Sequence, residues 1–289
     1  MLVKDICSAV ENLAPLQLAE KWDNCGLLIG STEAPVSRVL LTLDVTSEAV
    51  ALADRLGSEM IIAHHPLIFN PLRTLRDEPP INHIIYKCIK NNVSVYAAHT
   101  NLDSAVGGVS DALAAVLNLK VIDTLIPNSL PIFAGLTDET SRGTVNEYLK
   151  DFIGASSNVL PGLGRIAVPP EKTRAKPFLR MVNNNLQSTG CIINFDKDKT
   201  YRRIAIWGGA FDEMAIPVCI AKQIDCVVAG EIKHNLLLAL AESGIHAVAV
   251  GHDVTERTVL PRLMQYLKLA IPDCRIAINS GLSYNNLVY

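Results

Sequence analysis

Short runs of branched aliphatic residues alternate with amphipathic segments in two stretches of the chain, and this rhythm constrains the fold more than any other feature. Arg38 to Leu43 reads as a strand, and Ser47 to Leu56 as a helix with Thr46 or Ser47 as its cap. Met60 to Ala63 reads as a short buried strand, Asn82 to Lys90 as a helix, Val93 to Ala98 as a strand and Ser110 to Leu117 as a helix. The pattern resumes with a strand from Tyr201 to Trp207, a helix from Asp212 to Lys222 and a strand from Cys226 to Ala229. A helix from Lys233 to Ser243, a strand from His246 to Val250 and a helix from Val254 to Leu267 complete it. Strands alternating with helices predict a parallel or mostly parallel sheet covered by helices. The apolar fraction of 49% against 5% aromatic agrees, because strands buried on both faces are built from Val, Ile, Leu and Ala.

Between the two stretches, Asp123 to Asp198 carries loop-forming sequences such as Pro161-Gly162, Pro169-Pro170 and Asn183-Asn184-Asn185. It reads as a linking segment with some structure of its own, including a helix from Gly143 to Phe152. Laid side by side, the two stretches present the same order of elements. The expected fold class is therefore α/β: two related α/β lobes with a crevice at the strand C-terminal ends. The expected division is residues 1–125 for the first lobe and residues 126–289 for the linking segment plus the second.

Composition excludes several function classes. A net charge of -3 argues against a dedicated nucleic-acid binder, which normally carries a basic face. Apolar runs fall short of the length a membrane span needs, and the start, Met1-Leu2-Val3-Lys4-Asp5, reads as a first helix rather than a targeting segment. Seven scattered cysteines without a C-x-x-C pair read as buried small hydrophobes in a reducing, intracellular compartment.

The chemistry gathers where strands end. His64-His65-Pro66 follows one strand. His99 follows the next, with Asp103 four residues on. Glu231, Lys233 and His234 follow the Cys226 strand; His252 follows another, with Glu256 four residues on. In open α/β sheets the ligand crevice lies beyond the carboxyl ends of the strands, so these clusters are expected on one rim. A histidine and an acid at i and i+4 share one face of a helix and can grip one cation. Imidazole and carboxylate donors suit zinc, iron, manganese, cobalt or nickel. Adjacent histidines on an extended chain point in different directions, so His64 and His65 could serve two ions. His83 and His246 read as hydrogen-bonded structural residues, and Gly208-Gly209 as a tight turn, with backbone N–H groups near an anionic ligand as the alternative.

The segment Trp22-Asp23-Asn24-Cys25-Gly26-Leu27-Leu28-Ile29-Gly30 resembles the opening motif of the Nif-three-like family, whose members are commonly named GTP cyclohydrolase I type 2 homologs. His64-His65-Pro66-Leu67, Ala98-His99-Thr100-Asn101-Leu102-Asp103, Gly162-Leu163-Gly164-Arg165 and Gly251-His252 with Glu256 are similar to its later motifs, in order. The resemblance implies a dinuclear metal centre with His64, His65, Asp103, His252 and Glu256 as ligands, Asp103 bridging and Glu256 another bridging carboxylate. His99 would then lie near the metals without necessarily binding them. It also implies two related lobes and a ring-shaped homohexamer. Some members carry an extra inserted domain, for which Asp123 to Asp198 is too short. One departure is Asn235, which follows His234 where the family often has a second histidine.

The reading that follows is a metal-dependent hydrolase using two divalent ions, with His99 or Glu231 moving the proton. The expected substrate is a purine nucleotide, or a related cyclic amide or phosphoester. Glu231 and His234 are substrate-side candidates, or else helix-capping and surface residues. Arg165 is a further candidate, or else a salt-bridged arginine. The competing classes are a scaffold or interaction protein linked to transcription, with protein partners, and a metal storage or delivery protein. The expected location is cytoplasmic, with the nucleus as alternative.

Overall fold

The structure, a computed structural model, describes residues 1–128, 139–150, 159–188, 191–193, 196 and 198–279. Helix α1 (Val3–Leu13) opens the chain and is followed by β1 (Gly26–Ile29), β2 (Arg38–Thr42), α2 (Ser47–Leu56) and β3 (Met60–Ala63). Then come α3 (Ile81–Lys90), β4 (Ser94–Ala97), α4 (Thr100–Ser104), α5 (Val109–Val116) and β5 (Lys120–Pro127). The middle holds α6 (Glu139–Leu149), β6 (Gly162–Val168), β7 (Thr173–Arg174), α7 (Ala175–Leu186), β8 (Cys191–Ile193) and β9 (Thr200–Tyr201). The last part runs β10 (Ile204–Ala210), α8 (Ala215–Ala221), β11 (Cys226–Glu231), α9 (His234–Glu242), β12 (His246–Ala249), α10 (His252–Glu256), α11 (Val259–Ala270) and β13 (Arg275–Ile278).

The strands form two main sheets, ordered β1-β4-β3-β2-β13 and β5-β6-β10-β11-β12-β8. In the first, β2, β3 and β4 run parallel, and β1 closes the β4 edge antiparallel. In the second, β10, β11 and β12 run parallel, and β8 closes the β12 edge antiparallel. This correspondence is the duplication expected from the sequence. Residue 125 falls inside β5 of the second sheet, while β13 returns to pair in parallel with β2 of the first.

The strands are buried on both faces. Along β2, Val39 and Leu41 enter the largest core cluster together with Ile204, Ile206 and Val228 of the second sheet, while Leu40 faces α2 and α3. Helices α1, α5 and α11 fill the space between the two sheets, and α8 and α9 cover the outer face of the second. This layering brings the carboxyl ends of both parallel sets toward one crevice.

Four local outcomes depart from the sequence reading, each with a cause. The Asn183-Asn184-Asn185 run is not a loop but part of α7, because Ala175, Phe178, Val182 and Leu186 form a buried stripe that overrides the weak helix preference of asparagine. The strand expected from Tyr201 to Trp207 is interrupted: Asp225 Oδ2 takes the backbone N–H groups of Arg202 (2.7 Å) and Arg203 (3.1 Å) out of the ladder. The helix expected from Val254 to Leu267 is split into α10 and α11. Pro261 lacks the N–H that would continue the ladder back to Arg257, but fits the first turn of a new helix. The helix expected from Gly143 begins earlier, at Glu139; its expected end, Phe152, lies outside the described residues.

Candidate metal centre

Helix α2 begins with the Thr46 side chain accepting from Ala49 N (3.0 Å), and the strands it connects, β2 and β3, pair in parallel. Beyond β3, the His64 and His65 backbone N–H groups extend the ladder onto Thr42 O (3.1 Å) and Leu43 O (2.9 Å). That ladder carries both imidazoles into the crevice with ring centroids 5.0 Å apart. His99 ends β4 and caps α4, and Asp103 N returns to His99 O at 3.0 Å, which sets Asp103 one turn on. On the opposite lobe Gly251, at φ +106, makes the turn from β12 into α10, a conformation that suits glycine. His252 and Glu256 then share one face of that short helix, with His252 Nε2 2.9 Å from Glu256 Oε1.

The two lobes meet at Glu256, which is 3% exposed. His64 Nε2 lies 3.7 Å from Glu256 Oε1 and 3.7 Å from Asp103 Oδ1, and His65 Nε2 lies 3.0 Å from Glu256 Oε2. Among the described residues, two groups each bring their ligand atoms within 4.8 Å of one another: His64, His65 and His99, and His65, His252 and Glu256. Asp103 touches the first group through His64, so His99 and Asp103 both remain in place to complete it.

Three of the four imidazoles are oriented from behind. His64 Nδ1–H donates to Ala98 O at 2.8 Å, and His65 Nδ1–H to Asp44 Oδ1 at 2.9 Å. His99 Nδ1–H donates to Asp23 Oδ1 at 2.9 Å, and Asp23 also accepts the Thr100 hydroxyl and its N–H (3.1 Å). Such outer partners fix the tautomer and leave Nε2 of each ring for the centre. Asp23 and Asp44, which back these rings, are residues the sequence reading did not single out. An aspartate backing a histidine from 76 or 21 residues away leaves no local spacing signal, and only the Trp22-Asp23-Asn24 motif pointed to one of them.

The electrostatics are those of a site that wants a cation. Burial alone would raise the Glu256 carboxyl, but the imidazoles of His64, His252 and His65 outweigh it and hold the carboxyl well below the usual range. Burial opposes charge on His65, yet its hydrogen bond to Asp44 and the close Glu256 carboxylate push its pKa up to about 10. His64 is raised against its own burial by Asp103 and Glu256, and His252 is raised by its hydrogen bond to Glu256. Burial raises Asp103 above the ordinary carboxylate value despite His64. Even so, His64 Nε2, Asp103 Oδ1 and Glu256 Oε2 are buried without an aligned hydrogen-bond partner. Orphaned buried polar atoms of this kind are costly unless a ligand satisfies them, and imidazole nitrogens facing carboxylate oxygens fit a divalent transition metal.

The remaining candidates sort differently. Glu231 is exposed and sits behind His252, with Oε1 3.5 Å from His252 Nδ1. His234 is exposed at the start of α9, where Lys233 is the N-cap residue and makes no side-chain cap bond. Arg165 is fully buried and paired with Asp111 (Nε to Oδ2, 2.9 Å), so the salt-bridged reading holds. His83 pairs with Asp77, and His246 with the Tyr201 hydroxyl at 2.6 Å, as structural histidines. The Gly208 and Gly209 N–H groups are consumed by Ser110 Oγ (3.3 Å) and Thr255 Oγ1 (3.0 Å), which removes the anion-binding alternative. Nor do the two glycines form the expected tight turn: both lie within β10, at a register shift in its pairing with β11. Gly209, at φ +66, is a spacing residue: a Cβ there would stand 2.3 Å from Glu256 Oε1. Cys7, Cys88, Cys219, Cys226 and Cys274 are free and buried, as packing residues would be, and Cys25 is half-buried and bonds to Asp23.

A cavity of about 370 Å³ opens beside this cluster, with His99, Asp103, His252 and Glu256 in its wall.

Known proteins resemble the chain in sequence and in fold. A family model described as Duf34/NIF3 (NGG1p interacting factor 3) matches residues 1–283. A Clostridium acetobutylicum protein named GTP cyclohydrolase 1 type 2 homolog is 26% identical over 285 residues, covering 99% of this chain and 96% of that one. The crystal structure of a Bacillus cereus protein related to NIF3 superposes with a TM-score of 0.80 at 26% identity, covering 100% of this chain and 99% of the other. A Staphylococcus aureus protein of known structure gives 0.81 at 25% identity over 100% and 99% of the two chains.

Proposed function

The chain belongs to the Duf34/NIF3 family, and from that premise we propose that it is a dinuclear metal-binding protein acting as a metal-dependent hydrolase. The observation that carries this reading is the convergence of His64 Nε2, Asp103 Oδ1 and Glu256 Oε2, buried and without aligned partners, among the imidazoles of His65, His99 and His252. His64, His65, Asp103, His252 and Glu256 would hold the ions, with His99 as the further imidazole in reach of the first. When bound, two divalent cations supply Lewis acidity and lower the pKa of water for a hydrolytic attack.

The chain's own groups then have separable tasks. Glu256, reached by imidazoles of both lobes, ties the centre together. His99, held by Asp23 at Nδ1, presents Nε2 to the cavity and can hold or move a proton there. Glu231 is placed to act through His252 or to take a proton at the open side. A purine nucleotide or a related cyclic amide or phosphoester is the substrate class, supported by the name the relatives share. A homohexamer located in the cytoplasm belongs to the same proposal; among the described residues no helix is long and apolar enough to cross a membrane.

The test is metal content followed by turnover of a nucleotide panel, with His64→Ala and Asp103→Ala as controls. Bound metal and a turnover that both variants abolish supports the hydrolase. Full metal occupancy without turnover favours storage or delivery, and absence of metal leaves a role as an interaction protein.

A further inference from the structure

The cavity beside the centre has walls of two kinds. One end carries His99, Asp103, His252 and Glu256. The sides are apolar and come from both lobes: Trp22 and Phe69 on one, Trp207 and Met214 on the other. The chain contains two tryptophans, and both line this cavity. Trp22 is 60% exposed and Phe69 47% exposed, and their rings lie 5.9 Å apart between centroids with planes tilted by 53°. Trp22 also sets its ring edge-on to His99 at 6.3 Å, so the aromatic wall runs up to the candidate centre.

Charge adds a second constraint. Among the described residues, no lysine or arginine lines the cavity, whereas Glu20, Asp103, Asp212 and Glu256 do. Arg165, next to Gly164 in the wall, has its guanidinium committed to Asp111 and to the carbonyls of Ala105, Gly162 and Gly164. Sites that grip several phosphates supply cationic forks or runs of backbone N–H groups. The N–H groups of Gly208, in the wall, and of its neighbour Gly209 are already taken by side chains.

We propose that Trp22 and Phe69 form a stacking platform for a planar heteroaromatic ring of the nucleobase type, and that the ring rather than a polyphosphate tail supplies the recognition. This names the substrate class of the site described above and rests on the reading of the cavity as a substrate site. Stacking on aromatic faces tolerates many rings, because every base presents a π-face.

The experiment uses equilibrium binding, not turnover. In a Trp207→Phe background Trp22 is the sole tryptophan, and its fluorescence is followed while adenosine, guanosine, cytidine and uridine are titrated. Ribose 5-phosphate and inorganic triphosphate serve as ring-free probes. All are measured on metal-stripped and on zinc-loaded protein. The expected result is saturable quenching by at least one nucleoside in the metal-stripped protein, no binding of the ring-free probes there, and GTP no tighter than guanosine. By calorimetry, Trp22→Ala should weaken that nucleoside about ten-fold or more, Trp22→Phe should restore most of the loss, and metal content should be unchanged. The proposal is overturned if none of the four nucleosides quenches Trp22. It is equally overturned if Trp22→Ala changes affinity less than two-fold, or if inorganic triphosphate displaces the nucleoside from metal-stripped protein. Quenching that persists in a protein unable to hold metal would support the platform while removing the hydrolase reading.

Discussion

Replacing Arg165 with methionine tests how the lobes are joined and how Asp103 is held. The guanidinium is fully buried and donates to Asp111 Oδ2 (2.9 Å), Gly162 O (2.8 Å), Gly164 O (3.0 Å) and Ala105 O (2.7 Å). Ala105 lies two residues beyond Asp103, so the same side chain that neutralises Asp111 also pins the end of α4. Methionine fills much of the volume but leaves Asp111 with the Gly107 N–H (2.8 Å) as its remaining partner. Breaking one partner from a buried ion pair costs about 3–5 kcal/mol. Burial already raises the Asp111 carboxyl in spite of Arg165, so in the variant the group can protonate, which keeps the loss near about 4 kcal/mol rather than above it. At an unfolding entropy of about 2.1 cal/mol/K per residue, a loss of that size in a chain of 289 residues lowers Tm by about 7 °C. The assay is thermal unfolding of Arg165→Met, Asp111→Leu and the double variant, with metal content measured on each. The double variant should recover a large part of the loss, since it removes both charges. A fall below about 2 °C for Arg165→Met, or strict additivity in the double variant, would refute the reasoning.

Three further outcomes are expected. Gly209→Ala, whose Cβ would press on Glu256 Oε1 at 2.3 Å and His252 Nε2 at 3.2 Å, should lower metal stoichiometry without altering the circular dichroism; full stoichiometry would contradict the placement of Glu256. In metal-free protein the folded pKa values of His65 and His252 lie above the ordinary 6.5, so the stability they contribute is complete below pH 6.5 and lost as pH rises; for His65, raised to about 10, the loss extends toward pH 10. Glu256, depressed from 4.5, loses its contribution as pH falls below that value. Thermal unfolding in chelator should therefore peak between about pH 4.5 and 6.5, and a peak above pH 8 would sink this account. Because metal must displace those imidazole protons, zinc titrations in two buffers of different ionisation enthalpy should report proton release at pH 7, and equal heats in both buffers would contradict it.

The parts of the fold legible in the sequence were those written by local patterning. Thr46 announced the start of α2, and Met60 to Ala63 could hardly be anything but a buried strand. What stayed hidden depended on partners distant in the chain: Asp225 interrupting the strand at Arg202 and Arg203, or the core stripe that made a helix of Asn183 to Asn185. The strand Lys120 to Pro127 lay hidden in a stretch read as the first lobe's end and a linker, since its β6 partner begins at Gly162. The site follows the same division. Histidine and acid at strand ends marked His64, His65, His99, Asp103, His252 and Glu256 in advance. Their backing groups, Asp23 and Asp44, and the space demanded of Gly209 arise from tertiary approach alone. Gly209 read as part of a turn but lies within β10, at a register shift against β11, and its constraint is the carboxylate on its far side. Trp22 belonged to a recognised motif without a chemical role, and only the cavity it shares with Trp207 suggests one.

The central claim is a cation pair held by both lobes at Glu256. Anomalous-scattering maps from crystals of the purified protein, recorded on both sides of the metal absorption edges, test it directly. The account predicts two peaks in the crevice, one within ligand distance of His64 and His65 and the other of His65 or His252, with Glu256 reaching both. A crevice without anomalous density in protein purified without chelator, or metal bound away from Glu256, would contradict it.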